Sequence, residues 1–134
     1  MTLERFVYRS VSTHCFVEKD RINCIFRSAR KKNSAAGLTG ALSYSGHKFV
    51  QVLEGPTQAL DGLIAILESD NRHNHLNILG RWQIQDRMFC QWSMAHACLS
   101  SSSERLKRRF ESDGSGAELV NLLYSAASKS VFPL

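Results

Sequence analysis

Long apolar runs are missing from this 134-residue chain. Its two longest uncharged stretches, residues 33–47 and 88–103, are broken by Ser, Gly, Gln and His, so neither could span a bilayer. No basic segment leads into an apolar one at the Met-Thr-Leu-Glu start. A signal peptide is therefore not expected, and the cytoplasm is the default compartment. The four cysteines (Cys15, Cys24, Cys90, Cys98) form no CxxC pair and are expected to be reduced. Cys90, His96 and Cys98 share parity on a predicted strand, but the two cysteines would stand roughly 26 Å apart at ~3.3 Å per residue. That cannot close around one zinc ion. The His73-x-His75 pair has no evident third ligand, so no metal site is expected.

Composition excludes other classes. Hydrophobic residues make up 43% and charged ones 22%, which rules out disorder, collagen-like sequence and coiled coil as the main architecture. The length fits one compact domain. Lys and Arg number 17 against 12 Asp and Glu, a net +5, and a basic surplus invites a nucleic-acid reading. Its densest knots are Arg27, Arg30, Lys31, Lys32 and Arg105, Lys107, Arg108, Arg109. Both fall late in predicted helices, where cations complement the helix dipole, and both read as solvated helix ends.

Residues 4–10 alternate, with Phe6, Tyr8 and Ser10 on one face of a predicted strand. Asp20 is a candidate N-cap for an amphipathic helix carrying Ile22, Ile25, Phe26 and Ala29, stopped near Gly37. Asn33, four residues beyond Ala29, extends the apolar stripe. Residues 38–44 and 48–53 are apolar runs joined by Ser45-Gly46-His47, a hairpin signal. A second helix opens at Gly55-Pro56-Thr57 and carries Leu60, Leu63, Ile64 and Leu67. Residues 76–84 and 88–99 read as two more strands. After the Ser100–Ser103 linker, Leu106/Phe110 and Val120/Leu123/Tyr124/Ala127 predict two short helices. The order is βαββαββ, an α+β, extended ferredoxin-like mixed sheet. Strand 48–54 is apolar on both faces and should be covered on both: by the two long helices on one side, and by the C-terminal helices or another subunit on the other.

Three polar residues do not suit a plain core. Gln51 lies between Phe49 and Leu53, and a buried amide without partners costs about 1–3 kcal/mol. Tyr8 needs a partner for its hydroxyl, and Asn33 ends an apolar stripe. Trp92 and Met94 share a face two residues apart. Tyr, Gln and Asn converging on one helix-covered face would line a pocket for a planar ligand rich in donors and acceptors.

Along residues 3–99 the chain resembles the BLUF family of flavin-binding blue-light sensors. The resemblance rests on Phe6-Val7-Tyr8-Arg9-Ser10, Ala29-Arg30 leading to Asn33, and Gly37-Leu38-Thr39-Gly40-Ala41-Leu42. It continues through Gly46, Phe49-Val50-Gln51-Val52-Leu53-Glu54-Gly55, Asp70-Asn71-Arg72-His73 and Trp92-Ser93-Met94. It implies that Tyr8 is the electron donor to a photoexcited flavin and that Gln51 stands between Tyr8 and the flavin N5/C4=O edge. Asn33 would bond the C4=O/N3 side, and Ile25 and Leu67 would sandwich the ring. Lys32, Asp70, Arg72 and His73 match cofactor-side positions, and Trp92 and Met94 match a pair tied to signal relay. A Gln amide has a donor end and an acceptor end, so rotation or tautomerisation rewires its contacts without moving the backbone. The result would be a switch rather than a catalyst.

The departures are Ala29, where some members carry Ser, together with Lys32 and Ser43. No GxGxxG motif is present, so FAD would be held mainly by its isoalloxazine end, with FMN or riboflavin as alternatives. The resemblance divides the chain into a sensor domain, 1–99, and a C-terminal helical extension, 100–134, that caps the second sheet face and passes on the signal. Output is then expected through a partner protein or a homo-oligomer, without membrane or nucleic acid. The competing classes are weaker. A ferredoxin-like nucleic-acid or regulatory binding module would draw on the RNP1-like Gly46–Val52, which lacks the second aromatic. An acylphosphatase-like enzyme would need an Arg-bearing anion loop that Val11-Ser12-Thr13-His14 does not offer.

Overall fold

The fold was obtained as a computed structural model, which describes residues 2–12, 19–45, 48–69, 73–90, 93–96 and 116–129. Among the described residues, five strands and three helices follow in the order β1 (Leu3–Ser12), α1 (Lys19–Ala36), β2 (Thr39–Ser45), β3 (Lys48–Pro56), α2 (Thr57–Ser69), β4 (His73–Ile84), β5 (Ala95–His96) and α3 (Gly116–Lys129). The sheet order is β4-β1-β3-β2-β5. Neighbours among the first four strands run antiparallel, and β5 joins β2 in parallel through two residue pairs. The expected α+β, ferredoxin-like mixed sheet is therefore present, with its added strand at the β2 edge. No described helix is long and apolar enough to cross a membrane.

Period-two alternation divides the core in two. Phe6 and Tyr8 of β1, Leu42 of β2 and Phe49 and Leu53 of β3 join Phe26, Leu38, Leu60, Leu67 and Met94 in one buried cluster. Ala29 of α1 and Leu63 and Ile64 of α2 pack at its margin. Val7, Ala41, Val50 and Val52 face the other way and meet Phe89, Ala95, Leu119, Val120, Leu123 and Ala126. Helix α3 thus covers the second face, with Tyr124 edge-on to Phe89 at 5.6 Å. The first C-terminal helix expected from Leu106 and Phe110, and the basic knot at 105–109, lie outside the described residues.

Helix α1 ends where the sequence stops it. Gly37 takes φ +73°, Leu38 N donates to Asn33 O (2.8 Å) and Gly37 N to Ser34 O (3.3 Å). This is a Schellman closure, in which the left-handed residue is most easily a glycine. Arg87 adds a seal from β4's far end, donating to Gly37 O at 2.8 Å, Thr39 Oγ1 at 3.0 Å and Glu54 O at 3.2 Å. At the same end of the sheet, Arg81 of β4 ties Glu4 of β1 to Asp61 of α2. Its hydrogen bonds, first to Asp61 and then to Glu4, raise its guanidinium above the ordinary value.

One element departs from expectation. The strand predicted over 88–99 is, among its described residues, a strand only at Ala95–His96, and residues 88–90 form bends and a turn. A side chain outcompetes the ladder here. Glu54 accepts from Met88 N at 3.0 Å and from Phe89 N at 2.7 Å, so those amides have no need of a neighbouring strand. The strand-based spacing of Cys90 and Cys98 therefore does not apply. Cys90 is exposed, and Cys98 lies outside the described residues.

Candidate functional site

Tyr8 and Gln51 are direct cross-strand partners in the β1–β3 ladder, and Gln51 also opposes Leu42 of β2. Directly opposed residues of an antiparallel pair share a face, so both side chains point toward α1 and α2. Tyr8 is 1% exposed. It stacks on Phe6 with centroids 5.4 Å apart and meets Phe49 edge-on at 6.2 Å. Its hydroxyl donates to Gln51 Oε1. On β4 the register shifts between Val7 and Tyr8 and again between Arg9 and Val11. Two irregularities thus flank the Tyr8–Arg9 pair, as is common where a strand carries a functional side chain.

Gln51 uses both ends of its amide. While Oε1 accepts from Tyr8, Nε2 donates to Met94 Sδ at 3.5 Å, and the Met94 side chain is fully buried. Helix α1 supplies two more contacts to the same segment. Asn33 Nδ2 donates to Ser93 O at 2.9 Å, and Arg30 Nε donates to Met94 O at 3.1 Å. Arg30 also lies over the Phe26 ring at 5.5 Å, and burial lowers its guanidinium below the ordinary value. The chain thereby assembles Tyr8, Gln51, Met94, Asn33 and Leu67 around one cluster. Lys32 is exposed and is not brought into it. Ile25 lies on α1 and His73 opens β4, but their side chains are outside the described residues, as are Asp70, Arg72 and Trp92 entirely.

The donor set and the shape both fit a flat heteroaromatic ligand. Gln51 alone among residues 49–55 of β3 is incompletely buried, so the surface opens over its amide. Ala29, Leu63 and Ile64, from the two helices, are apolar and incompletely buried beside the same cluster. Gln51 retains a second N–H, and Asn33 Oδ1 has no partner among the described residues. A planar ring with alternating donors and acceptors would meet apolar walls and both amides there.

Residues 3–95 match the family described as sensors of blue light using FAD. The chain belongs to the BLUF family. Photoactivated adenylate cyclase subunit beta of Euglena longa is 32% identical over 97 residues, covering 72% of this chain and 11% of the relative. The chain therefore spans about a tenth of that protein's length. Among solved structures, the dark state of BlrB, a BLUF protein, superposes with a TM-score of 0.79 at 31% identity, covering 97% of this chain and 98% of the other. A bacterial light-regulated adenylyl cyclase gives 0.69 at 26% identity, covering 96% of this chain and 36% of that one. This BLUF chain is thus a flavin-binding blue-light sensor domain.

Two contributors, one on each face of the sheet, escaped the sequence reading. Arg30 was grouped with the solvated knot, yet it shares a helical stripe with Phe26 and Asn33, and that spacing was the available signal. Glu54 was noticed only as part of a motif. It is fully buried on the opposite face, bonded to Arg5 at 2.7 Å and to the two loop amides. A carboxylate within an apolar strand, in register with Arg5, was the clue.

Proposed function

We propose that this chain converts blue light into a rearranged hydrogen-bond pattern around Gln51, and that the Tyr8–Gln51 couple on the helix-covered face carries the photochemistry. A bound flavin supplies the visible absorption and, once excited, the acceptor for one electron. Tyr8 would give up that electron together with its hydroxyl proton, the proton passing by way of the acceptor it already touches, Gln51 Oε1, to the flavin, and both would return to Tyr8 so that no net oxidation remains. The amide then turns or tautomerises, exchanging its donor and acceptor ends. FAD is the preferred flavin. Its ring would lie against Asn33 and Gln51 between Ile25 and Leu67, with the ribityl-phosphate side toward Asp70, Arg72 and His73. Support comes from the buried hydroxyl–amide pair, the opening over Gln51 and the apolar flanks of α1 and α2.

Trp92 and Met94 would relay the change. Residues 100–134 would act as the output extension toward a partner protein or a second copy of the chain. Met94 on the Gln51 amide and Phe89 on Tyr124 of α3 support such a route, since one short segment touches both faces. The deciding measurement is the absorption spectrum of the chain with FAD before and after blue light. A band that moves reversibly to the red supports the proposal. A chain that takes up no flavin, or a bound flavin with an unmoved band, overturns it.

A further inference from the structure

Arg30 takes no part in the chemistry assigned to Tyr8 and Gln51, yet it alone of the basic knot at 27–32 turns away from solvent. Arg27, Lys31 and Lys32 are exposed, whereas Arg30 is partly buried over Phe26. Its Nε donates to Met94 O, one helical turn from the point where Asn33 holds Ser93 O. Pairing with β2 begins only at Ala95, so α1 side chains grip the two carbonyls just before the ladder. The side chain of the gripped Met94 is fully buried with its sulfur 3.5 Å from Gln51 Nε2.

A thioether sulfur is a weak acceptor and has no proton to donate. It suits the Nε2 end of the amide. If Gln51 turns, the carbonyl end meets the sulfur and two acceptors face each other. A Met94 free to withdraw would relieve that contact, but one held by its own backbone would not. We propose that Arg30 is a positioning residue: by holding Met94 O it keeps the sulfur against Gln51, disfavours the turned amide and shortens the life of the lit state. This rests on the reading that light rearranges Gln51.

The test follows the thermal return of the red-shifted band in the flavin-loaded chain, comparing Arg30→Met, Arg30→Lys, Met94→Leu and the double variants. Arg30→Met is expected to slow the return by roughly three- to tenfold, the worth of one net hydrogen bond, and Arg30→Lys by less. In the Met94→Leu background the same Arg30 changes should alter the return by less than about twofold, because coupled residues are not additive. A return that is unchanged, faster, or slowed equally in both backgrounds overturns the proposal, and equal slowing would mark Arg30 as a general support of the fold. If Arg30→Met takes up no flavin, the Arg30→Lys pair makes the same comparison. A native chain that binds flavin without a red shift overturns the photochemical reading itself, and is thereby told apart from a failure of the clamp alone.

Discussion

Gln51 and Glu54 stand three residues apart on β3 and face opposite sides of the sheet. Gln51 meets Tyr8 and Met94, and Glu54 meets Arg5 and the amides of Met88 and Phe89. One strand thus contacts the 88–94 segment from both of its faces, through an amide on one side and a carboxylate on the other.

Tyr8→Phe should fold, hold flavin and lose the normal red-shifted state, because the hydroxyl that donates to Gln51 Oε1 is gone. Gln51→Leu should do the same by removing the amide. Light-minus-dark difference spectra of both variants check this. A photocycle like that of the native chain in either variant would show that the roles are misassigned.

Glu54→Gln should lower stability by about 3–5 kcal/mol, the range for breaking a buried pair and leaving one partner uncompensated. Arg5 loses its charge partner, and one amide oxygen is left where two carboxylate oxygens now accept from Arg5 and the two loop N–H groups. Urea unfolding of the flavin-loaded chain measures the loss. A midpoint indistinguishable from that of the native chain would mean the Arg5–Glu54 pair contributes nothing net.

Ser43 presents the opposite case. It is 1% exposed on β2, and its hydroxyl has no hydrogen-bond partner among the described residues. Ser43→Ala should therefore raise stability by about 1 kcal/mol, by removing a buried polar atom that has given up water without replacement. Thermal unfolding should show a higher midpoint, and a lower one would mean that the hydroxyl is satisfied in solution.

Two glycine substitutions should act in opposite directions. A Cβ on Gly40 would overlap the Val52 carbonyl of the neighbouring strand, while one on Gly62 meets nothing within 4 Å. Gly40→Ala should cost about 3 kcal/mol or more through overpacking. Gly62→Ala, within α2, should add about 0.5–1 kcal/mol through helix propensity. Denaturant midpoints of the pair give the comparison.

The sheet and the Tyr8–Gln51 couple were legible because strand periodicity is strict. Once Phe6–Ser10 and Phe49–Leu53 read as strands, parity alone placed the tyrosine and the amide on core faces. Asn33 was legible by the same logic at helical period. The 85–90 segment was not, because its conformation depends on Glu54 and Arg87, whose bonds reach across 33 to 50 residues of sequence and leave no local pattern. Arg30 was misread for a related reason. Basic residues near helix ends are usually solvated, and the carbonyl of Met94, 64 positions away, draws this one inward.

The Arg87 seal bears on the order in which the chain can fold. Gly37 O, Thr39 Oγ1 and Glu54 O all receive their guanidinium donors from a residue that follows four strands and two helices. During synthesis, the junction between α1 and β2 therefore stays unfinished until position 87 has left the ribosome. Contacts of such long sequence separation slow folding. An N-terminal fragment ending at α2 should fray first at Gly37, however well its own helices are formed.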